Sequence, residues 1–158
     1  MGYGKICTEP QVPVQVVLMD DRAVVPKRAT PGSSGYDLYP LEETTLPPGA
    51  VTPVSTGVAM AVPRGYELQV RPRSGMSLKL PQVRVANAPG TVDSDYRDEI
   101  RVLFHNMGQE PVTLPAGKAM AQLVVQKVET LAFRLLDGWT EEHATGRMYG
   151  GFGSTDVK

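Results

Sequence analysis

Apolar and polar residues alternate over several short stretches of the chain. The alternation is clearest at Val54, Thr56, Val58, Met60 and Val62, at Tyr66, Leu68 and Val70, and at Ile100, Val102 and Phe104. A period of two is typical of a strand with one buried face, so it predicts strands at these places. Residues 122–128 and 131–136 predict two further strands, and residues 74–80 predict a single helical turn or a little more. No long amphipathic helix is predicted.

Turn-forming residues separate these stretches. The chain has 16 glycines and 14 prolines, which is well above their usual combined share of about 12%. They cluster at residues 47–49, 63–65, 89–90, 106–108 and 115–117, where they supply the fixed or positive φ that turns require. The length of 158 residues suits one domain. Together these features predict a single all-β domain of the sandwich or jelly-roll type.

Composition excludes several classes of function. A net charge of -1 gives no field that would attract polyanions, so we expect no nucleic-acid partner. No apolar run approaches the roughly 18 to 20 residues of a membrane span, and the N-terminus lacks the apolar core of a secretion signal, so we expect no membrane association.

Cysteine and histidine add two further expectations. Cys7 is the sole cysteine, which fits a reducing compartment and an intracellular protein, cytoplasmic or nuclear. His105 and His143 are far apart in sequence and have no companion cysteines, so no zinc site is predicted. A Mg²⁺ ion carried by a phosphate ligand remains compatible with this sequence.

The densest polar chemistry lies in residues 87–100, between two predicted strands. This segment indicates an elaborated hairpin, and hairpin loops on rigid scaffolds often carry sites. It contains one aromatic ring, Tyr96, and the carboxylates of Asp93, Asp95, Asp98 and Glu99. Clustered carboxylates can act as a general base or hold Mg²⁺, but most loop acids are solvated turn residues, and a hairpin tyrosine more often packs. The residues alone leave both interpretations open.

Two other segments could bind phosphate. At residues 71–75 a predicted strand ends in two arginines, and Ser74 and Gly75 open a possible helical turn; this is either a phosphate cradle or a solvated basic turn. From residue 146 onward the chain has little capacity to bury a core, so we expect a mobile C-terminal arm. Arg147 and Phe152 give that arm an ion-pairing group and a stacking ring, although it is not a P-loop.

Taken together, residues 34–38, 72–75, 87–100, 117–122 and 147–155 resemble the ordered motifs of the trimeric deoxyuridine triphosphatases, the dUTPases. The resemblance covers nearly the whole chain from about residue 20. It implies an all-β, distorted jelly-roll (β-clip-like) subunit that forms a homotrimer, with each active site shared between subunits. The implied layout is an N-terminal extension or first strand at residues 1–19, a core at 20–136 and the C-terminal arm at 137–158.

The resemblance also implies an activity, the hydrolysis of dUTP to dUMP and diphosphate. This reaction keeps uracil out of DNA and supplies dUMP for dTTP synthesis. Asp93 would be the general base that activates water for attack on the α-phosphorus, and the ring of Tyr96 would leave no room for a 2′-hydroxyl. The residues implied to line the uracil are Asn87, Gly90, Thr91, Val92 and the backbone of Arg101.

The remaining implied roles concern the phosphates and the arm. Asp37 would act on Mg²⁺ only through water, because the triphosphate itself carries the ion. Gln122 would contact the phosphates or the attacking water. The residues implied to hold the phosphates are Arg73, Ser74 and Gly75. In the arm, Phe152 would stack over uracil, Arg147 would contact the γ-phosphate, and the other implied binding residues are Gly153, Ser154 and Thr155.

The sequence departs from the family pattern at a few positions. Asp98 stands where glycine is usual, and Ala119 stands where arginine is common. Met148 and Tyr149 are bulkier than the usual residues before the Gly-Gly pair, and Asp156 replaces a common glycine.

Three alternatives stay open at this point. A dCTP deaminase would share the fold but would read cytosine and release ammonia. A regulatory or interaction protein gated by nucleotide would keep the pocket and bind a partner. A structural jelly-roll protein would explain the strands but not the polar clusters.

Overall fold

The structure is a computed structural model that describes residues 11–145. Within this range the chain forms eleven strands, one short α-helix and one 3-10 helix. The strands are β1 (Gln15–Leu18), β2 (Tyr36–Leu38), β3 (Thr44–Leu46), β4 (Val51–Ser55), β5 (Val58–Ala61), β6 (Tyr66–Pro72), β7 (Val83–Val85), β8 (Gly90–Val92), β9 (Arg101–Asn106), β10 (Val112–Leu114) and β11 (Ala121–Lys127). The helix α1 spans Ser74–Lys79, and the 3-10 helix spans Glu141–His143.

The strands form four small antiparallel sheets. The largest has the order β2-β11-β6-β8, and a three-stranded sheet has the order β4-β9-β7. The pairs β1-β5 and β10-β3 complete the set. Because sequence neighbours rarely pair, most contacts join residues far apart in the chain, as in a jelly roll. The prediction of an all-β subunit is confirmed.

One apolar core lies between these sheets. Its largest fully buried side chains include Phe104, Leu38, Leu46, Leu68 and Ile100. Most strands contribute inward-facing residues, as β9 shows with the pattern exposed, buried, intermediate, buried, intermediate, buried, whereas the four residues of β1 are all exposed. Burial of alternate residues is the physical reason why the period-two pattern was readable in the sequence.

Most of the strand predictions are confirmed, with one change of boundary. The alternation at 54–62 belongs to two strands, β4 and β5, because the chain turns at Thr56 and Gly57. Gly57 has a φ of 68°, a left-handed conformation that glycine adopts without steric cost. The predicted helical turn is α1, and the predicted strand at 122–128 is β11.

The prediction of a strand at residues 131–136 is wrong. These residues have no regular secondary structure and no partner strand within the described part of the chain. A strand needs a neighbour to satisfy its backbone groups, and the sequence pattern shows only the side-chain alternation. Leu131, Phe133 and Leu135 are instead 71%, 90% and 96% exposed.

Two other predictions meet the limits of the described range. β1 lies inside the segment 1–19, so that segment includes a first strand, while the domain boundaries themselves stay predictions. Residues 146–158, which carry the predicted arm motif, lie outside the described residues. In residues 11–145 no helix is long and apolar enough to cross a membrane.

Candidate active site

A cleft of about 210 Å³ lies where β6 ends and α1 begins. It brings together residues from three separate parts of the sequence, which the strand pairing places side by side. In β11, Gln122 lies opposite Asp37 of β2 on one side and Arg71 of β6 on the other. The residues that line the cleft are Ala29, Ser33, Gly35, Asp37, Arg73, Ser74, Gly75 and Gln122.

An ion pair organises this cleft. Arg73 Nε lies 2.9 Å from Asp37 Oδ1, and the two side chains are 34% and 16% exposed. Arg73 Nη1 also donates to the carbonyl of Ala119 at 2.9 Å. These contacts fix the plane of the guanidinium at the cleft wall. A fixed guanidinium is suited to binding phosphate oxygens, which it can do through two parallel hydrogen bonds.

Gly35 and Gln122 meet closely at the same place. Gln122 Nε2 donates to the carbonyl of Pro72 at 2.9 Å. A β-carbon at residue 35 would collide with the Gln122 side-chain oxygen and lie 3.1 Å from its Cβ. Glycine is therefore required at position 35 so that the Gln122 amide can lie across the backbone.

Sequence reasoning missed two residues of the cleft. Ala29 and Ser33 lie in the loop before β2 and line the cleft opposite Arg73. The Ser33 hydroxyl is 2.9 Å from Thr30 Oγ1 and accepts the backbone N–H of Thr30. The turn residues Pro31 and Gly32 were a signal for this loop, but they gave no indication of where it would fold.

The second polar cluster is the predicted hairpin of residues 87–100. β8 pairs with β6, so Gly90 lies opposite Val70, and Val92 lies opposite Leu68. Gly90 is buried, and a β-carbon there would lie 3.0 Å from the side-chain nitrogen of Asn87. The peptide bond between Ala88 and Pro89 is cis. The main chain of Gly90 to Val92 is paired with β6, and Asp93 is exposed directly after it.

The loop after Asp93 is closed by its own hydrogen bonds. The Tyr96 N–H donates to the Asp93 carbonyl at 3.2 Å, and the Tyr96 hydroxyl donates to the Glu99 carbonyl at 2.9 Å. Arg97 Nη1 donates to the carbonyls of Ser94 and Tyr96, both at 2.8 Å. Tyr96 is consequently held at its main chain and at its hydroxyl, and it is 40% exposed.

Glu99 fastens this loop to a distant turn. Its Oε1 accepts the backbone N–H groups of Thr56 at 3.1 Å and Gly57 at 2.8 Å. Its Oε2 accepts from Arg101 Nε at 2.8 Å and from the Ser55 hydroxyl at 3.4 Å. Gly57 takes a positive φ at this turn, and the two successive N–H groups converge on one point, as they do in an anion nest. Here the chain's own carboxylate occupies it.

These contacts determine how Glu99 titrates. Burial of the carboxylate raises its pKa. The hydrogen bonds from Gly57 and Arg101, the positive charge of Arg101 and the Ser55 hydroxyl lower the pKa by a larger amount, so it lies below its ordinary value of 4.5. A lowered pKa means that the ionised form stabilises the fold. This contribution is complete above the pKa of the unfolded chain and is lost as the pH falls toward the folded-state pKa.

We therefore expect acid to loosen the protein partly through Glu99. The melting temperature should fall as the pH drops below 4.5, and it should fall less steeply in Glu99→Gln, which has no proton to gain at this position. Scanning calorimetry between pH 3 and 7 measures both slopes. Glu129→Gln is the matched control, because the Glu129 side chain is 80% exposed and its removal should leave the slope unchanged. Equal slopes in wild type and Glu99→Gln would contradict the assignment.

The two clusters lie at opposite ends of β6. Asp93 follows Val92 and is therefore level with Glu67, six residues before Arg73. Six residues of extended strand span about 20 Å. No residue of the hairpin lines the cleft at Arg73 within the described part of the chain. One copy of the chain thus presents two separate clusters of predicted site residues, one around Asp93 and the other around Arg73.

The comparisons with known proteins identify the family of this chain. The dUTPase family model matches residues 21–156, which is most of the chain. The chain belongs to the dUTPase family. Among its relatives is the deoxyuridine 5'-triphosphate nucleotidohydrolase of Helicobacter pylori strain P12, 43% identical over 144 residues, which cover 91% of this chain and 97% of the relative. The enzyme of the same name from Wolinella succinogenes is 42% identical over 142 residues, covering 90% and 93%.

Solved dUTPase structures share the fold. A mutant dUTPase of Staphylococcus bacteriophage 80alpha with bound dUpNHpp superposes with a TM-score of 0.81, at 22% identity, over 90% of this chain and 98% of the other. A dUTPase of phage phi11 of S. aureus, described with a structural Mg(II) ion, gives a TM-score of 0.74 at 22% identity, over 80% and 98%.

The structure accounts locally for two of the departures from the dUTPase pattern. The Asp98 carboxylate accepts the backbone N–H of Glu99 at 2.7 Å, so the aspartate side chain satisfies the backbone that glycine usually leaves bare. Ala119 contributes its carbonyl to Arg73, a contact that any residue provides. The arm residues of the predicted site, Arg147, Phe152, Gly153, Ser154 and Thr155, lie outside the described residues.

Proposed function

We propose that the protein hydrolyses dUTP to dUMP and diphosphate, the reaction that keeps uracil out of DNA and supplies dUMP for dTTP synthesis. The observation that carries the proposal is the rigid hairpin of Gly90 to Val92, which ends in the exposed carboxylate of Asp93. Family membership supports it, as do relatives of 40 to 43% identity that bear the name of this enzyme.

The hairpin reads the base. The main chain of Gly90, Thr91 and Val92, with Asn87 beside Gly90, offers donors and acceptors to uracil, and by resemblance the backbone of Arg101 contributes as well. A fixed main-chain pattern rejects cytosine, because its own polar groups would remain unpaired, and a close fit rejects the 5-methyl group of thymine. The Tyr96 ring packs against the deoxyribose and excludes a 2′-hydroxyl.

Asp93 supplies the chemical step. It accepts a proton from a water molecule as the water oxygen forms a bond to the α-phosphorus. The bond from that phosphorus to the bridging oxygen breaks, and diphosphate leaves with the electron pair. The exposed position of Asp93 directly after a buried strand residue gives it both access to the substrate and a rigid mounting.

The cleft at Arg73 holds the phosphates. Arg73 is already oriented by Asp37 and Ala119, and Ser74, Gly75 and Gln122 complete the wall. Mg²⁺ usually keeps several of its waters and binds to phosphate oxygens and one or two carboxylates. Asp37 is a single carboxylate in the cleft, so it would contact such an ion through water. When bound, the ion neutralises phosphate charge.

Two halves 20 Å apart cannot serve one nucleotide from the same chain, since Asp93 must lie within hydrogen-bond reach of the attacking water, about 3 Å. We therefore propose a homotrimer in which Asp93 of one copy faces Arg73 of another. The exposed apolar residues 131–136 support association, because Leu131, Phe133 and Leu135 are 71%, 90% and 96% exposed in one copy. Sedimentation should give the mass of three chains of 17.1 kDa.

The arm completes the proposed site. By resemblance alone, Phe152 stacks over uracil and Arg147 contacts the γ-phosphate, with Gly153, Ser154 and Thr155 on the phosphates. Closure of such an arm would exclude bulk water from the reaction.

One assay tests the activity. Diphosphate release is measured with dUTP, dTTP, dCTP and UTP in the presence of Mg²⁺, and ammonia release is measured with dCTP. We expect rapid diphosphate release from dUTP alone. Ammonia from dCTP would indicate a deaminase instead, and equal hydrolysis of all four nucleotides would overturn the proposed reading of base and sugar.

A glycine substitution tests the cleft. Gly35→Ala should lower kcat/KM for dUTP about ten- to a hundredfold, because its β-carbon displaces the Gln122 amide by an ångström or more. Gly32→Ala is the matched control in the same loop, since nothing lies within 4 Å of its new β-carbon. Steady-state kinetics measure kcat/KM for dUTP in both variants. Similar decreases at positions 32 and 35 would contradict a role for Gln122 in the site.

A further inference from the structure

We infer that Glu99 is a positioning residue that sets discrimination against ribonucleotides by holding Tyr96. The inference rests on the proposed function and extends it to a residue that makes no contact with the sugar itself. It starts from the hydrogen bond of the Tyr96 hydroxyl to the Glu99 carbonyl, 2.9 Å long.

A sugar gate must be rigid to work. A 2′-hydroxyl is rejected only if the ring beneath the sugar cannot yield, because the steric penalty disappears once the ring rotates away. Tyr96 is 40% exposed; its backbone N–H donates to the Asp93 carbonyl, which fixes the main chain, and its hydroxyl donates to the Glu99 carbonyl, which orients the ring. The hydroxyl contact is therefore as important as the ring itself.

The Tyr96 hydroxyl donates to the backbone carbonyl of Glu99, so its position depends on how well the backbone at residue 99 is fixed. Three hydrogen bonds to the Glu99 carboxylate, from Ser55, Thr56 and Gly57, tie this residue to the end of β4 and the turn that follows it, and a fourth comes from Arg101 at the start of β9. The side chain is 12% exposed, so these bonds are largely shielded from water.

The next residue extends the attachment. The Ile100 N–H donates to the Val58 carbonyl at 2.8 Å, and Thr56 Oγ1 donates to the Ile100 carbonyl at 2.6 Å. Within the described chain, the turn at residues 55–58 is thus the anchor of the hairpin's C-terminal end. Glu99 supplies the charged group of this attachment. Loss of its carboxylate would leave Arg101 without its ion-pair partner.

Two substitutions separate the carboxylate from the ring. In Glu99→Gln the amide can still accept from Thr56 and Gly57, but its NH₂ group faces the Arg101 guanidinium, which cannot accept a hydrogen bond. In Tyr96→Phe the ring remains and the contact with the Glu99 carbonyl is lost. We expect each to lower the ratio of kcat/KM for dUTP to that for UTP by about three- to tenfold, the range of one hydrogen bond. The decrease should come mainly from faster use of UTP.

The double variant tests whether Glu99 and Tyr96 act through the same interaction. If Glu99 works through Tyr96, the double variant discriminates no worse than the poorer single variant, whereas independent effects multiply. Arg101→Gln is a milder version that removes one bond from the carboxylate, and it should lower the ratio by a smaller factor. This variant also keeps the test open should Glu99→Gln fold poorly, since the Arg101 side chain is 54% exposed.

Stability alone must not explain the result. Val112→Ala is the matched control, because it removes buried apolar volume in β10, in a separate sheet from the hairpin, and should lower the melting temperature while leaving the dUTP to UTP ratio unchanged. An unchanged ratio in Glu99→Gln and Arg101→Gln, or multiplied effects in the double variant, would overturn the inference. Absence of dUTP hydrolysis in the wild type would instead overturn the proposed function, so the two failures are distinguishable.

Discussion

Asp93→Asn should hydrolyse dUTP about a hundred- to ten-thousandfold more slowly than the wild type, the usual cost of losing a general base. The asparagine amide has nearly the same shape as the carboxylate, so the loop and the base pocket should remain intact, but it cannot accept the proton of the attacking water. The affinity for the non-hydrolysable analogue dUpNHpp should stay within a fewfold. Single-turnover kinetics and calorimetric binding together measure the two effects.

Asp95→Asn provides the control for this experiment. Asp95 is an exposed carboxylate two residues further along the same loop, so its substitution makes the same change of charge and should leave turnover near the wild-type rate. A wild-type rate in Asp93→Asn would remove Asp93 from the role of base. An equal loss in both variants would assign the effect to loop charge rather than to proton transfer.

Mixed trimers provide the second large effect. Asp93→Asn and Arg73→Ala should each be almost inactive alone, because each lacks one half of every site. When the two proteins are unfolded and refolded together at equal concentration, a site is complete if its Asp93 comes from one variant and its Arg73 from the other. Random assembly of a cyclic trimer gives about a quarter of the wild-type activity. The reason is the 20 Å between the two halves along β6.

The controls follow from the same geometry. Each variant refolded alone should stay inactive, and a double variant carrying both substitutions should give no recovery when it is mixed with either single variant. Absence of recovery from the mixture, with trimers confirmed by sedimentation, would mean that both halves of a site come from one chain. That outcome would also contradict the strand register as the origin of the separation.

The sequence predicted those strands whose alternation continues for several residues. β6, β9 and β11 have six or seven residues each, which is long enough for the period of two to be visible. β2, β3, β8 and β10 have three residues each, and three residues carry no clear period. β7 is equally short, but Val83 and Val85 predicted it as the strand before residues 87–100. The pattern at 131–136 predicted a strand because its side chains alternate between apolar and polar. A strand also needs a neighbouring strand to pair with its backbone, and the described chain supplies none there.

For the site, the motifs gave the residue types but not their contacts. Asp37 and Arg73 were assigned to the same end of the substrate by resemblance, and the structure joins them in one ion pair. Glu99 was assigned only a solvated or pairing role, since its partners Ser55, Thr56 and Gly57 lie more than forty residues away in sequence. Such contacts depend on strand register, which no local pattern specifies.

The left-handed turn at Gly57 predicts which positions should covary among related sequences. Gly57 has a φ of 68°, and its N–H and that of Thr56 donate to the same carboxylate oxygen of Glu99. A β-carbon at residue 57 would also lie 2.8 Å from Ala23 Cβ and 3.0 Å from Leu41 Cδ1. A change at residue 57 alone leaves a buried carboxylate short of donors, and a change at residue 99 alone leaves two N–H groups without an acceptor. Among related sequences, positions 57 and 99 should therefore vary together.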